Sequence, residues 1–154
     1  MRESRHELGT LSGVQFQFAE PCEKGPTMSA RTPEDLDRLF ALALNSGDLD
    51  ALVRLYEPQA ALRPAPGQVV QGHAAIRSAL AGFVAMKPTL ELAPRVLGQC
   101  NDVALLTASW TLNGTGADGT PVRMTGNSVE VARRQADGTW LFAIDTPWGL
   151  EATP

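Results

Sequence analysis

The sequence predicts an α+β fold in which three N-terminal helices pack on one face of a curved antiparallel sheet. Three observations carry this reading. Helical apolar spacing occurs three times before Pro88, whereas every apolar run after Pro88 is strand-like and bounded by turn residues. With 154 residues at 44% hydrophobic, the chain can bury one good core, and dividing it would leave two undersized halves.

The first helix opens at Thr32, a good N-cap, with Pro33 in the first helical position and Glu34 and Asp35 in the positively polarised first turn. Leu36, Leu39, Phe40, Ala43 and Leu44 give it one apolar face, and it ends near Asn45 or Ser46. Gly47 supplies a left-handed C-cap. Asp48 caps a second helix whose buried face is Leu49, Leu52, Val53 and Tyr56. A short strand over 60–63 turns through "PAPG" into another over 68–71. Gly72 restarts a helix with Ile76, Ala79, Leu80 and Phe83 on its apolar side. Strands then follow over 90–97, 103–112, 122–134 and 139–144, separated by "GQCND", "NGTGADGT" and "QADG".

Residues 1–27 are set apart from the domain over 28–154. They mix both charges with Gly and Pro, lack the apolar centre of a secretory signal, and carry only a short "VQFQF" alternation that suits a disordered arm or an edge strand. Glu23, Lys24 and Gly25 are encoded by purine-rich codons just upstream of Met28, which resembles a bacterial ribosome-binding site and points to translation from Met28.

Composition narrows the function. With 13 basic against 17 acidic residues, there is no charge excess to displace counterions from a nucleic-acid backbone. No apolar run reaches the length of a membrane span. Cys22 and Cys100 suggest reduced thiols in a cytoplasm, and together with His6 and His73 they show no metal-ligand spacing, so neither metal nor cofactor is expected.

The segments "TPEDL", "NSGDLDALVRLYEPQAAL", "GHAAIRSAL", "EVARRQADGTW" and "DTPWG" resemble the SnoaL-like and ketosteroid-isomerase-like branch of the NTF2-like superfamily over residues 32–149. The resemblance implies a conical half-barrel whose helices close a deep apolar pocket for a small molecule. It also implies a homodimer joined through the outer sheet face. In the isomerases of this family an Asp base moves a proton while a Tyr and a protonated Asp hold the dienolate oxygen. Matched position by position, the tyrosine falls on Phe40, the base on Arg63 or Pro64, and the second acid on Glu130. Phe40 has no hydroxyl, and neither Arg63 nor Pro64 accepts a proton. True ketosteroid isomerisation is therefore not expected.

The remaining chemistry centres on Glu130, which alternation places on one sheet face with Ser128 and Ala132, opposite Val129 and Val131. An apolar pocket would raise its pKa and make it an acid for a lyase, isomerase or hydrolase, with Arg63 as electrostatic partner. Alternatively, Glu130 is a structural carboxylate paired with Arg63, Arg95 or Arg133, and the cone is a binding or dimerisation module without catalysis. Phe40, Tyr56, Phe83, Met86, Trp110, Met124 and Trp148 are the large groups available to line the cavity. His73 is expected exposed in a first helical turn, Glu91 is a weak second carboxylate, and Asp145 is expected to stabilise the turn before Pro147.

Overall fold

A computed structural model describes residues 28–150; the expectations for residues 1–27 lie outside the described part. Its elements are α1 (Pro33–Ser46), α2 (Leu49–Arg54), β1 (Tyr56–Ala65), β2 (Gln68–Gln71), α3 (His73–Ala85), β3 (Thr89–Cys100), β4 (Val103–Thr115), β5 (Pro121–Arg134) and β6 (Trp140–Thr146).

Local chemistry sets the helix boundaries. Asp35 accepts hydrogen bonds from the amides of Arg31 (3.0 Å) and Thr32 (2.9 Å), satisfying donors that the start of α1 leaves free. Gly47 ends α1 at φ 74°, a left-handed conformation that strains any side chain with a Cβ. One residue later the Asp48 carboxylate accepts from the Ala51 amide at 2.8 Å and starts α2. The Asn45 side chain pairs with both backbone groups of Leu90, at 2.6 and 3.0 Å, so the end of α1 is tied to the start of β3.

The six strands form one curved, unclosed sheet in the order β2-β1-β6-β5-β4-β3. All neighbours are antiparallel except β1 and β6, which run parallel. The expected wholly antiparallel sheet is therefore a mixed one. Alternation within a strand reports which face is buried, but it carries no information on a pairing between residues some eighty positions apart. β1 also begins at Tyr56, ahead of the expected start at Ala60, and runs through Pro58. A register shift against β6 between Tyr56 and Ala61 absorbs the missing amide donor.

The helices cover the inner sheet face. Leu36, Leu52, Ile76 and Leu106 are wholly buried there, each contributing roughly 1.5–3 kcal/mol by leaving water. Leu106→Ala alone should cost about 2–5 kcal/mol. On the outer face, Ala61, Ile144, Val131 and Leu105 stand in register across four strands. Ile144 is 46% and Leu105 41% exposed, so this apolar row is uncovered in a single chain. Among the described residues no helix is long and apolar enough to cross a membrane.

Candidate active site

Between α1, α3 and the inner sheet face lies a cavity of about 70 Å³ with an overwhelmingly apolar wall. Three carboxylic acids break that wall. Asp37 projects from α1, Glu130 from β5 and Asp145 from β6, and all three line the cavity while being 2–5% exposed. Each is delivered by its element. Asp37 lies three residues before Phe40 and seven before Leu44, on the helical stripe that faces inward. Glu130 alternates inward with Ser128 and Ala132, and Asp145 is its direct partner across the β5–β6 pair.

Burial pushes the Glu130 carboxyl up to about 9, reinforced by the charges of Asp37 and Asp145 and opposed by the Ser128 hydroxyl. Asp37 is pushed up to about 7, again by burial first and by Asp145 second. Asp145 rises only to about 6, because the Tyr56 hydroxyl counteracts its burial. Tyr56 Oη donates to Asp145 Oδ2 at 2.5 Å, and burial together with that carboxylate holds the phenol well above its ordinary pKa. One oxygen each of Asp37 and Glu130 is buried without a hydrogen-bond partner. Such atoms are costly unless a ligand meets them. Around neutral pH the cavity thus holds a protonated Glu130 beside carboxyls that give up their protons more readily, a division suited to proton donor and acceptor.

Phe40, Phe83, Trp110 and Trp148 line the cavity together with Glu130. Trp110 and Trp148 meet edge to face at 5.2 Å; the Trp110 indole donates to the Pro147 carbonyl at 2.8 Å and that of Trp148 to the Pro64 carbonyl at 3.0 Å. The half-buried Pro64, Pro147 and Trp148 thereby bound its outer end. Gly126 leaves room for the Trp110 ring, since a Cβ there would lie 2.7 Å from it.

Other expected residues sit elsewhere. Arg63 is absent from the cavity wall, whereas its neighbours Leu62 and Pro64 are on it. Glu130 has acidic neighbours rather than Arg63 as its electrostatic partners. Arg133 pairs with Glu57 at 3.0 Å. Tyr56 packs behind the wall against Phe142 and reaches the site through its hydrogen bond to Asp145. Met86 and Met124 pack against the core beside the cavity without lining it. Glu91 is exposed, and His73 is partly buried with Nε2 2.8 Å from the Tyr56 carbonyl. Asp145 does not cap a turn, because β6 continues to Thr146 and carries it inward. Asp37 was not anticipated. Its signal was a carboxylate inside an otherwise apolar helical stripe. Among the described residues, no group of three or more His, Cys, Asp or Glu is placed to hold a metal ion.

Comparison with known proteins agrees with this architecture. The family model of the SnoaL-like domain matches residues 36–142, and the chain belongs to that family, whose fold is NTF2-like. Among solved structures it is similar to a candidate aromatic ring hydroxylase from Novosphingobium aromaticivorans, with a TM-score of 0.68 and 25% identity over 77% of this chain and 87% of that one. A candidate dehydratase of the NTF2-like family from Streptomyces avermitilis aligns with a TM-score of 0.65 and 18% identity over 77% and 94%. A ketosteroid isomerase-like protein from Erwinia carotovora atroseptica gives 0.63 and 19% over 73% and 89%. No curated protein matches the chain.

Proposed function

We propose that the protein is an acid–base enzyme that binds a small, largely apolar molecule in this cavity and moves a proton on it, in the manner of an isomerase, lyase or hydrolase. The observation that carries this reading is the convergence of three buried carboxyl groups, two with an unpartnered oxygen, in an otherwise apolar cavity. A core built for stability would fill such space with carbon or pair each acid with a cation. In this reading Glu130 donates a hydrogen bond or proton to an oxygen of the substrate, and Asp37 takes the proton from carbon. Asp145, held by Tyr56, raises the basicity of Asp37 by its charge. The differing names of the structural neighbours, a hydroxylase, a dehydratase and an isomerase-like protein, are compatible with one pocket serving several reactions.

The test is exchange of solvent deuterium into the α-position of small cyclic ketones, followed by NMR. Wild-type protein should accelerate exchange, and Glu130→Gln and Asp37→Asn should each slow it by roughly 10²-fold or more. Equal rates for all three proteins would reduce the cavity to a binding site without chemistry. The proposal extends to assembly: the row of Ala61, Ile144, Val131 and Leu105 suits a homodimer joined through the outer sheet face.

A further inference from the structure

The carboxyl groups of the cavity share one wall. Among the described residues on its wall there is no lysine, arginine or histidine. Arg38 acts on Asp37 electrostatically but is itself exposed and ion-paired with Asp35 at 3.2 Å, and the other charge acting on Asp37 from α1, Glu34, is negative. Glu130, 2% exposed, and Asp37, 4% exposed, each keep a buried oxygen with no partner. A buried carboxylate without a counter-charge is strongly disfavoured, so these groups hold their protons until a cation meets them.

The kind of cation is indicated by the rest of the wall. Phe40, Phe83, Trp110 and Trp148 bring four aromatic rings to the same cavity. Aromatic rings take up an apolar body and also tolerate a cation beside it, so they are compatible with the sign of charge that the carboxyls favour. We infer that the ligand of this cavity carries a protonated amine on a small apolar body, with the ammonium group received by Asp37 and Glu130 and the apolar body set against the aromatic rings. The inference rests on the small-molecule reading of the cavity and adds the sign of the ligand's charge. An anion would meet carboxylates, with no guanidinium among the described residues of the wall. A neutral molecule would meet the carboxyls in their protonated form and gain hydrogen bonds but no ion pair.

A cation entering the cavity favours the ionised carboxyls, so binding should expel protons held by Asp37 and Glu130. Affinity for an amine should then rise between pH 5.5 and pH 8, where Asp145 and Asp37 ionise while an alkylammonium, like lysine with its pKa of about 10.4, remains charged.

The test is calorimetric titration of the full chain with three probes of one shape: cyclopentylamine, cyclopentanol and cyclopentanecarboxylate. At pH 8 the amine is expected to bind roughly tenfold or more tightly than the alcohol, and the carboxylate more weakly than either. The amine preference should shrink at pH 5.5, and at pH 8 its binding heat should depend on the buffer because protons are released. Asp37→Asn and Glu130→Gln should each reduce the preference, so the prediction survives if one variant fails to fold. An alcohol that binds as tightly as the amine would end the cationic inference and leave the small-molecule reading intact. Absence of binding by all three probes would overturn both.

Discussion

Glu130 and Asp145 stand directly opposite each other on β5 and β6, both turned into the cavity. Like charges in that position repel across a strand pair, and here they do so away from water. The relationship makes the protein's stability a function of its protonation.

The sign follows from the direction of the shifts. Asp145, Asp37 and Glu130 all have folded-state pKa values above their unfolded ones, at about 6, 7 and 9. The folded state therefore binds more protons, and stability present below about pH 4 is lost progressively as pH rises through these values. The melting temperature should fall by about 5–10 °C between pH 5 and pH 9, measured by circular dichroism at constant ionic strength. A flat or rising profile would contradict the buried acidic cluster.

Glu130→Gln replaces the group with the highest of the three pKa values by a near-isostere that cannot ionise. The variant should match the parent at pH 5 and melt about 2–5 °C higher at pH 9. A loss of stability at both pH values would assign Glu130 a structural role.

Tyr56→Phe removes a short hydrogen bond that steadies Asp145. It should cost about 1–3 kcal/mol at pH 8 in denaturant unfolding. Because that bond lowers the pKa of Asp145, its loss should also move the apparent titration of this carboxyl upward, which NMR of the side-chain carboxyl carbon would detect.

Gly126→Ala places a methyl 2.7 Å from the Trp110 ring, which is itself fixed by the Pro147 carbonyl. The ring must shift, and the segment at residues 147–148 with it. A destabilisation of about 1–3 kcal/mol is expected, with a change in tryptophan emission and weaker binding of any cavity ligand. Unchanged fluorescence would show that Trp110 has room the geometry does not provide.

Leu105→Glu sets a charge in the middle of the exposed apolar row. If two chains join through this face, sedimentation should show a dimer for the parent and a monomer for the variant. A parent that sediments as a monomer would remove the proposed interface.

Much of the frame was legible because local chemistry fixes it. Gly47 with Asp48, and Gly72, mark their corners by backbone conformation and capping alone. Glu130 was placed on the same face as Ser128 and Ala132 because alternation survives in a regular strand. The less legible residues depend on where a strand begins and ends, and on register. Tyr56 has the spacing of the apolar face of α2, although the chain is already β1 at that point; Asp145 reads as a turn residue because Thr146 and Pro147 follow it, although β6 continues to Thr146. Arg63 matches a family position by its distance along the chain, yet it is Leu62 and Pro64 that reach the cavity. Asp37 is hidden because the apolar spacing of α1 defines its inner face by carbon alone, and a buried acid breaks that rule where function is expected.

The strand order places the last of the described strands at the centre of its sheet. β6 lies between β1, near the start of the described chain, and β5. A nascent polypeptide can pair β3, β4 and β5 as successive hairpins while still being synthesised, but β1 has no central neighbour until residues 140–146 have emerged. Closure of that gap joins segments some eighty residues apart, a non-local step that slows folding. The same strand brings Asp145, so the acidic cluster and the completed sheet arise in one event, and a chain stalled before it exposes two unfinished edges open to aggregation.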